Sequence, residues 1–213
     1  YTFSLPGQLL GEKWLRELIS WQKANGVIYA PVPSGTLEEE LSGQSLASIG
    51  YYGLWTYYLY TGNKRLIQDF YPHAKRYIQL WQKNENGLVN ERWGEWAWGD
   101  WGEEKDMTLL NALWYFIAVK GMYNIAKELD MVEEIWEYEY FIEEYIISFN
   151  REYWTGKCYR SPNYKGKDDD RVQALAVVSG IAGKDKYPEL LKVFLTEEHC
   201  SPYMEKYIFE ALM

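Results

Sequence analysis

Three stretches of this chain are apolar on nearly every helical face: residues 43–61 (GQSLASIGYYGLWTYYLYT), the early part of 108–129 (LLNALWYFIAVKGM) and 171–182 (RVQALAVVSGIA). They alternate with segments that carry one polar face, at 64–83, 131–149 and 186–198. A helix apolar on all sides has to be buried on all sides, whereas a one-faced helix covers something and meets water. An inner ring of the first kind inside an outer ring of the second satisfies that alternation. The pattern therefore predicts an all-α fold, an (α/α) toroid of helical hairpins, in preference to an irregular bundle or a solenoid. No fixed period of the tetratricopeptide or armadillo kind runs through the chain, which counts against the solenoid. About eight helices can be read from the periodicity. Six closed hairpins require twelve, so an incomplete toroid is expected.

The remaining elements follow from local signals. Residues 8–24 set Leu10, Trp14, Leu18 and Trp21 at helical spacing, an amphipathic pattern. Gly62 suits the C-cap of the 43–61 helix, and Pro72 should kink the 64–83 helix or restart it. Three long connections are expected at 25–42, 84–107 and 150–170, with short extended pieces at 27–29 and 88–90. Further helices are predicted at 171–182, 186–198 and 202–213, the last entered through Ser201 as N-cap.

Composition narrows the function. A net charge of −9 argues against nucleic acid, whose binding rests on Lys and Arg neutralising phosphates. Two cysteines, Cys158 and Cys200, match neither a disulfide framework nor a zinc pattern. The two histidines, His73 and His199, lie far apart in sequence, so neither a His-based metal site nor a triad is expected, and His73 is expected at the surface. No apolar run is long enough to span a bilayer, and no cationic and apolar leader opens the chain. The chain starts at YTFSLPG and stops at FEALM inside a predicted helix, as an excised piece would. Aromatic residues reach 18%, and such rings are favoured at interfaces and binding surfaces.

In a toroid of hairpins the long loops at one end surround a funnel, where functional residues gather. The 84–107 loop contains ERWGEWAWGDWGEEKD, residues 91–106. Indole faces stack on the C–H faces of sugar rings, and carboxylates accept hydrogen bonds from hydroxyls, so the loop suits a carbohydrate. Asp100, between Trp98 and Trp101, is the carboxylate expected to face a ligand, ahead of Glu95, Glu103 and Glu104. Glu103, Glu104 and Asp106 are better read as favouring the start of the next helix, with Asp106 or Thr108 as its N-cap. Trp98 and Trp101 are assigned to ligand contact, while Trp93 and Trp96 divide evenly between contact and packing. Tyr51 and Tyr52 lie in the first turns of the 43–61 helix, within reach of a funnel floor. The other rings of that helix are read as core. Glycoside hydrolysis needs two carboxyl groups, and no pair stands out. The run Asp168, Asp169, Asp170 is read as capping the helix that begins near Arg171.

The segments GEKWLRELISWQKANGVIYAPVPSG, SLASIGYYGLWTYYLYTGNKRLIQDFYPHAKRYIQLW and GLVNERWGEWAWGDWG resemble consecutive parts of the catalytic barrel of bacterial α-L-rhamnosidases. DRVQALAVVSGIAG and SPYMEKYIFEAL are similar to the helices that follow in that family. The resemblance spans nearly the whole chain and implies that residues 1–213 are part of an (α/α)6 six-hairpin glycosidase barrel. Such a barrel removes terminal L-rhamnose by inversion with a glutamate acid and a glutamate base, and holds no cofactor. In the family the acid lies in an upstream Asp/Arg/Glu segment and the base in a downstream Trp-Glu segment. The resemblance thus implies that both catalytic residues lie outside this chain, and it leaves Asp100, Trp101, Trp98 and Tyr52 as substrate contacts. The implied partner is a rhamnose-containing glycan or glycoside, with no nucleic acid and no membrane, and with self-association through uncovered helix faces. A secreted or periplasmic location would fit polysaccharide degradation. Other six-hairpin enzymes, unsaturated glucuronyl hydrolases or trehalase-like proteins, are the nearest alternative. A non-catalytic carbohydrate-binding or helical interaction domain is an alternative of another class.

Overall fold

The computed structural model describes residues 5–30, 32, 40–92 and 98–213. Among them the regular structure is helical: α1 (Leu5–Ser20), α2 (Ser42–Ile49), α3 (Thr56–Thr61), α4 (Lys64–Ile78), α5 (Met107–Glu128), α6 (Val132–Tyr153), α7 (Asp170–Ser179), α8 (Tyr187–Thr196) and α9 (Pro202–Leu212). The extended pieces expected at 27–29 and 88–90 reduce, among the described residues, to one isolated bridge between Lys83 and Val89. No described helix is long and apolar enough to cross a membrane. The chain divides into two compact units, one of residues 1–82, 92–98 and 115–142, the other of residues 83–91, 99–114 and 143–213.

In the first unit, the stretch read as one helix over 43–61 is three pieces. A π-helical turn, Tyr51–Trp55, joins α2 to α3. The cause is a close approach to α5. A Cβ on Gly50 would come within 2.4 Å of the Ala118 Cα, and one on Gly121 within 2.4 Å of the Tyr51 amide nitrogen. Two backbones meeting at that range shift the hydrogen-bond register, and a π-turn absorbs the extra residue. Leu46, Ile49 and Leu54 are fully buried here, but Leu59 and Tyr60 near the C-terminal end are exposed. Burial on all faces therefore fails for both helices: α2 buries one face, Ser42, Ser45, Leu46 and Ile49, and leaves Gly43, Gln44, Ala47 and Ser48 half-buried. Gly62, at φ 63°, closes α3 as the expected left-handed C-cap.

α4 runs through Pro72 without restarting. Proline in a helix interior costs about 3 kcal/mol, but Leu66, Ile67, Phe70, Tyr71 and Ala74 are all buried around it. Each large apolar side chain buried contributes about 1.5–3 kcal/mol, so packing keeps the helix continuous. Tyr71 donates to Glu134 at 2.7 Å, and Lys75 pairs with the same carboxylate at 2.6 Å, tying α4 to α6. His73, expected at the surface, is half-buried with Nδ1 2.7 Å from the Gln22 Oε1. On α1 the buried residues are Leu15 and Leu18, while Leu10, Trp14 and Trp21 keep substantial exposure.

In the second unit, α7 packs most extensively on α9 and then on α8. Residues 170–176 of α7 are buried without exception, as predicted for a helix apolar on all faces, yet two of them, Asp170 and Arg171, are charged. α8 is one-faced, with Leu190 and Val193 buried and Leu195 exposed. Residues 109–119 of α5 are likewise all buried.

Candidate functional site

The Trp-rich loop enters the second unit at Gly99 and ends where α5 begins. Asp106 is the N-cap of α5, since its Oδ1 accepts the amide hydrogen of Leu109 at 3.3 Å. Its Oδ2 takes the Ser161 amide at 2.7 Å, which fastens the 150–170 connection to the same point. Glu104 does not favour the helix start as expected. Its φ is 51°, and its carboxylate accepts from the Lys167 amide at 2.8 Å and from the Tyr164 hydroxyl at 3.2 Å.

The centre of the arrangement is Arg171, which has no exposed surface. Its Nε donates to Asp169 Oδ1 at 2.7 Å. Nη1 donates to Asp100 Oδ2 at 2.9 Å and to the His199 carbonyl at 3.3 Å. Nη2 donates to the carbonyls of Glu103 and Glu104. The five N–H groups of a guanidinium thus have five acceptors, drawn from the loop, the α7 start and the segment before α9. Asp169 caps α7 through the Arg171 amide, as the run of three aspartates predicted, and its other oxygen accepts the Asp106 amide at 2.9 Å. Asp170 accepts the amides of His199 and Cys200 at 3.0 and 3.2 Å.

Asp100 is enclosed by this clasp. Its Oδ2 also accepts the Ser201 amide at 2.8 Å, and its Oδ1 accepts the Ser201 hydroxyl. Ser201 occupies the N-cap position of α9 but makes no capping bond there, because its hydroxyl is turned to Asp100. Burial opposes the charge on Asp100, but the bonds from Ser201, Arg171 and the Trp101 amide prevail and hold its pKa below the usual carboxylate value. Asp169 goes the other way, since burial outweighs Arg171 and pushes it up to about 6. Burial raises Asp106 as well. Gly102 explains one glycine of the loop, because a Cβ there would lie 1.9 Å from the His199 carbonyl oxygen. The loop is pulled against the α9 approach so closely that no side chain fits.

The clasp turns one residue outward. Trp101 is 72% exposed, although the residue before it is buried and the glycine after it is pressed onto the His199 carbonyl. An indole held open to solvent on a loop whose neighbours are fixed is a preformed flat apolar platform. Trp98 belongs to the first unit and is half-buried. Tyr52, also in the first unit, is half-buried on the π-turn, edge-on to Tyr51 at 5.5 Å between ring centroids. Trp93, Glu95 and Trp96 lie outside the described residues. Among the described residues no group of three or more His, Cys, Asp or Glu side chains is placed to hold a metal ion. The sequence reading missed Arg171 and the role of Ser201. A signal for the first was present: a cation in an apolar helix directly after three aspartates is almost never buried unless paired.

Comparison with known proteins identifies the fold. A family model described as the bacterial alpha-L-rhamnosidase 6 hairpin glycosidase domain matches residues 5–200. Among solved structures, the GH78 family rhamnosidase of Bacillus sp. GL1 superposes with a TM-score of 0.81 at 18% identity, over 97% of this chain and 23% of that one. The alpha-L-rhamnosidase from Dictyoglumus thermophilum gives 0.76 at 21%, over 94% and 24%. The Klebsiella oxytoca rhamnosidase with rhamnose bound gives 0.82 at 14%, over 96% and 42%. At these identities the likeness shows the fold, the α/α six-hairpin toroid, and this chain spans less than half the length of each. No match is found among curated protein sequences.

Proposed function

The chain belongs to the bacterial α-L-rhamnosidase six-hairpin glycosidase family, and from that membership we propose that residues 1–213 are one stretch of the catalytic barrel of an α-L-rhamnosidase. The enzyme hydrolyses terminal L-rhamnose from a rhamnose-containing glycan or glycoside with inversion. Trp101 supports this reading most directly: it is a large indole, 72% exposed, on a loop immobilised from beneath. Its role is to stack on the C–H face of the sugar; Trp98 and Tyr52, in the first unit, are kept as substrate contacts on the family resemblance alone. Asp100 serves the sugar through Trp101, since both its oxygens are engaged by Arg171 and Ser201. An inverting mechanism needs an acid and a base roughly 6.5–9.5 Å apart with room for water. The resemblance to the family puts that acid and base in segments outside residues 1–213, and the clasp carboxylates are already engaged by Arg171, Ser201 and backbone amides. Apolar side chains exposed on α1, α3 and α8, such as Leu10, Leu59 and Leu195, are covered in the whole enzyme and drive self-association of this chain alone.

The test is hydrolysis of p-nitrophenyl α-L-rhamnoside by the natural protein that carries this segment, followed by proton NMR of the first-formed sugar. Release of β-L-rhamnose first is expected. Release of the α anomer first overturns inversion, and cleavage of an unsaturated glucuronide or trehalose in place of the rhamnoside overturns the substrate.

A further inference from the structure

The part of α6 that belongs to the first unit is held by its neighbours along one side. Glu134 accepts from Tyr71 at 2.7 Å and pairs with Lys75 at 2.6 Å, and the Tyr138 hydroxyl lies 3.2 Å from that of Tyr71, all contacts with α4. Glu139 accepts from Tyr123 at 2.7 Å, and Phe141 packs edge-on against Tyr115 at 6.0 Å, both contacts with α5. At about 100° of turn per residue these positions fall within one half of the helix circumference. The other half carries Val132, Trp136 and Tyr140, each exposed. Spaced four residues apart, they line up as one ridge about 12 Å long. A one-faced helix turns polar residues to water. A single exposed apolar side chain is ordinary, but three large ones in line mark a surface of interaction.

We propose that this face of α6 docks a cationic amphipathic helix of another polypeptide, one with an apolar stripe bordered by Lys or Arg. The side chains of Trp136 and Tyr140 make no hydrogen bond and no ring contact among the described residues, so both ring faces are open to apolar contact or to a cation above them. Glu133 and Glu137 run along one border of the ridge. Both are exposed, and neither carboxylate forms a hydrogen bond or ion pair among the described residues. Lys75 and Lys127 are engaged elsewhere, the first by Glu134 and the second over the Tyr123 ring at 5.1 Å. The border is therefore negative and unneutralised, and its complement is positive.

The same chemistry sets this occupant apart from two others. A second copy placed antiparallel across a two-fold axis brings each border of the ridge against itself, so Glu133 and Glu137 would face like charges. A neutral glycan stacks on the two rings but leaves the border unneutralised. Lys or Arg side chains on a partner helix lay their alkyl stems along Val132 and the rings while their charged heads reach Glu133 and Glu137. A ridge of three side chains is far smaller than a standard interface of about 1,600 Å², so the contact belongs to the weak, transient class.

The test uses the natural protein and a fluorescent synthetic peptide patterned as a helix with leucine on one face and lysine on the other, followed by anisotropy. Saturable binding is expected, about tenfold weaker in Trp136→Ala and largely kept in Trp136→Phe. The double variant Glu133→Gln, Glu137→Gln should bind more weakly and with a flatter dependence on salt. Leu195→Ala, an exposed leucine on α8, should leave binding unchanged. No saturable binding, or equal affinity in Trp136→Ala, overturns the proposal. So does equal binding of a peptide whose leucines are replaced by glutamine, because attraction of charge alone then accounts for it. A dimer of the natural protein that Trp136→Glu dissociates would give the ridge to a second copy. Retardation by dextran in native gels that Trp136→Ala abolishes would give it to a glycan. Either result overturns it as well. None of these measurements involves rhamnoside cleavage, so the proposal and the rhamnosidase reading stand or fall separately.

Discussion

Arg171 and Trp101 divide the labour of the Trp-rich loop between inside and outside. Removing one partner of a buried ion pair leaves the other charge uncompensated and costs about 3–5 kcal/mol. Arg171→Met would strand Asp100 and Asp169 together, so urea unfolding should show a loss of that order. Arg171→Lys should recover little of it, because an ammonium lacks the planar fork that reaches five acceptors. Exposed Trp101 behaves oppositely: Trp101→Ala should change stability by no more than about 0.5 kcal/mol. Asp169 adds a pH signature. Its folded pKa of about 6 lies above the ordinary 3.8, so the folded state holds the proton more tightly. Its contribution to stability is full below about pH 4 and is lost as pH rises through 6, by roughly 2–3 kcal/mol. Asp100 and Asp168, with lowered pKa values, act only under more acidic conditions, where stability falls as pH drops. Denaturant midpoints between pH 4 and 6.5 should decline for the unaltered chain and stay flatter in Asp169→Asn.

At the scale of elements, the α2–α5 contact depends on glycine. A methyl group on Gly121 would run into the Gly50–Tyr51 backbone, with the Tyr51 amide nitrogen at 2.4 Å and the Gly50 carbonyl carbon at 2.5 Å. Gly121→Ala should destabilise by about 1–3 kcal/mol, which for a chain of this length lowers Tm by about 2–4 °C per kcal/mol. It should also displace the π-turn that carries Tyr52. This junction marks the limit of what the sequence makes legible. α5 and α7 could be read as buried because periodicity and composition along one helix carry that information, and the Asp106 and Asp169 caps because capping is local. The π-turn could not be read, because its cause is a backbone 70 residues away in α5. Asp100 was legible as a special carboxylate but not as an interior one, since its partners stand 71 and 101 residues along the chain. Ser201 looked like a cap for the same reason: its competing acceptor is distant.

On the scale of the whole molecule, the alternation of buried and one-faced helices belongs to a six-hairpin glycosidase barrel. Large apolar side chains remain exposed on several helices, among them Leu10 at 68%, Trp136 at 69%, Tyr140 at 70% and Leu195 at 75%. Large apolar side chains left open to water favour association, so sedimentation of the 213-residue chain should show weight-average mass rising with concentration. A monomer at every concentration would remove that argument. The claim on which the rest depends is that the clasp exists to present Trp101 to a sugar. Its most direct test is kcat/KM for p-nitrophenyl α-L-rhamnoside in Trp101→Ala, made in the natural protein and paired with its Tm. A fall of about tenfold or more, equivalent to ~1.4 kcal/mol of transition-state stabilisation, at an essentially unchanged Tm is the predicted result. A kcat/KM equal to that of the unaltered protein would contradict it.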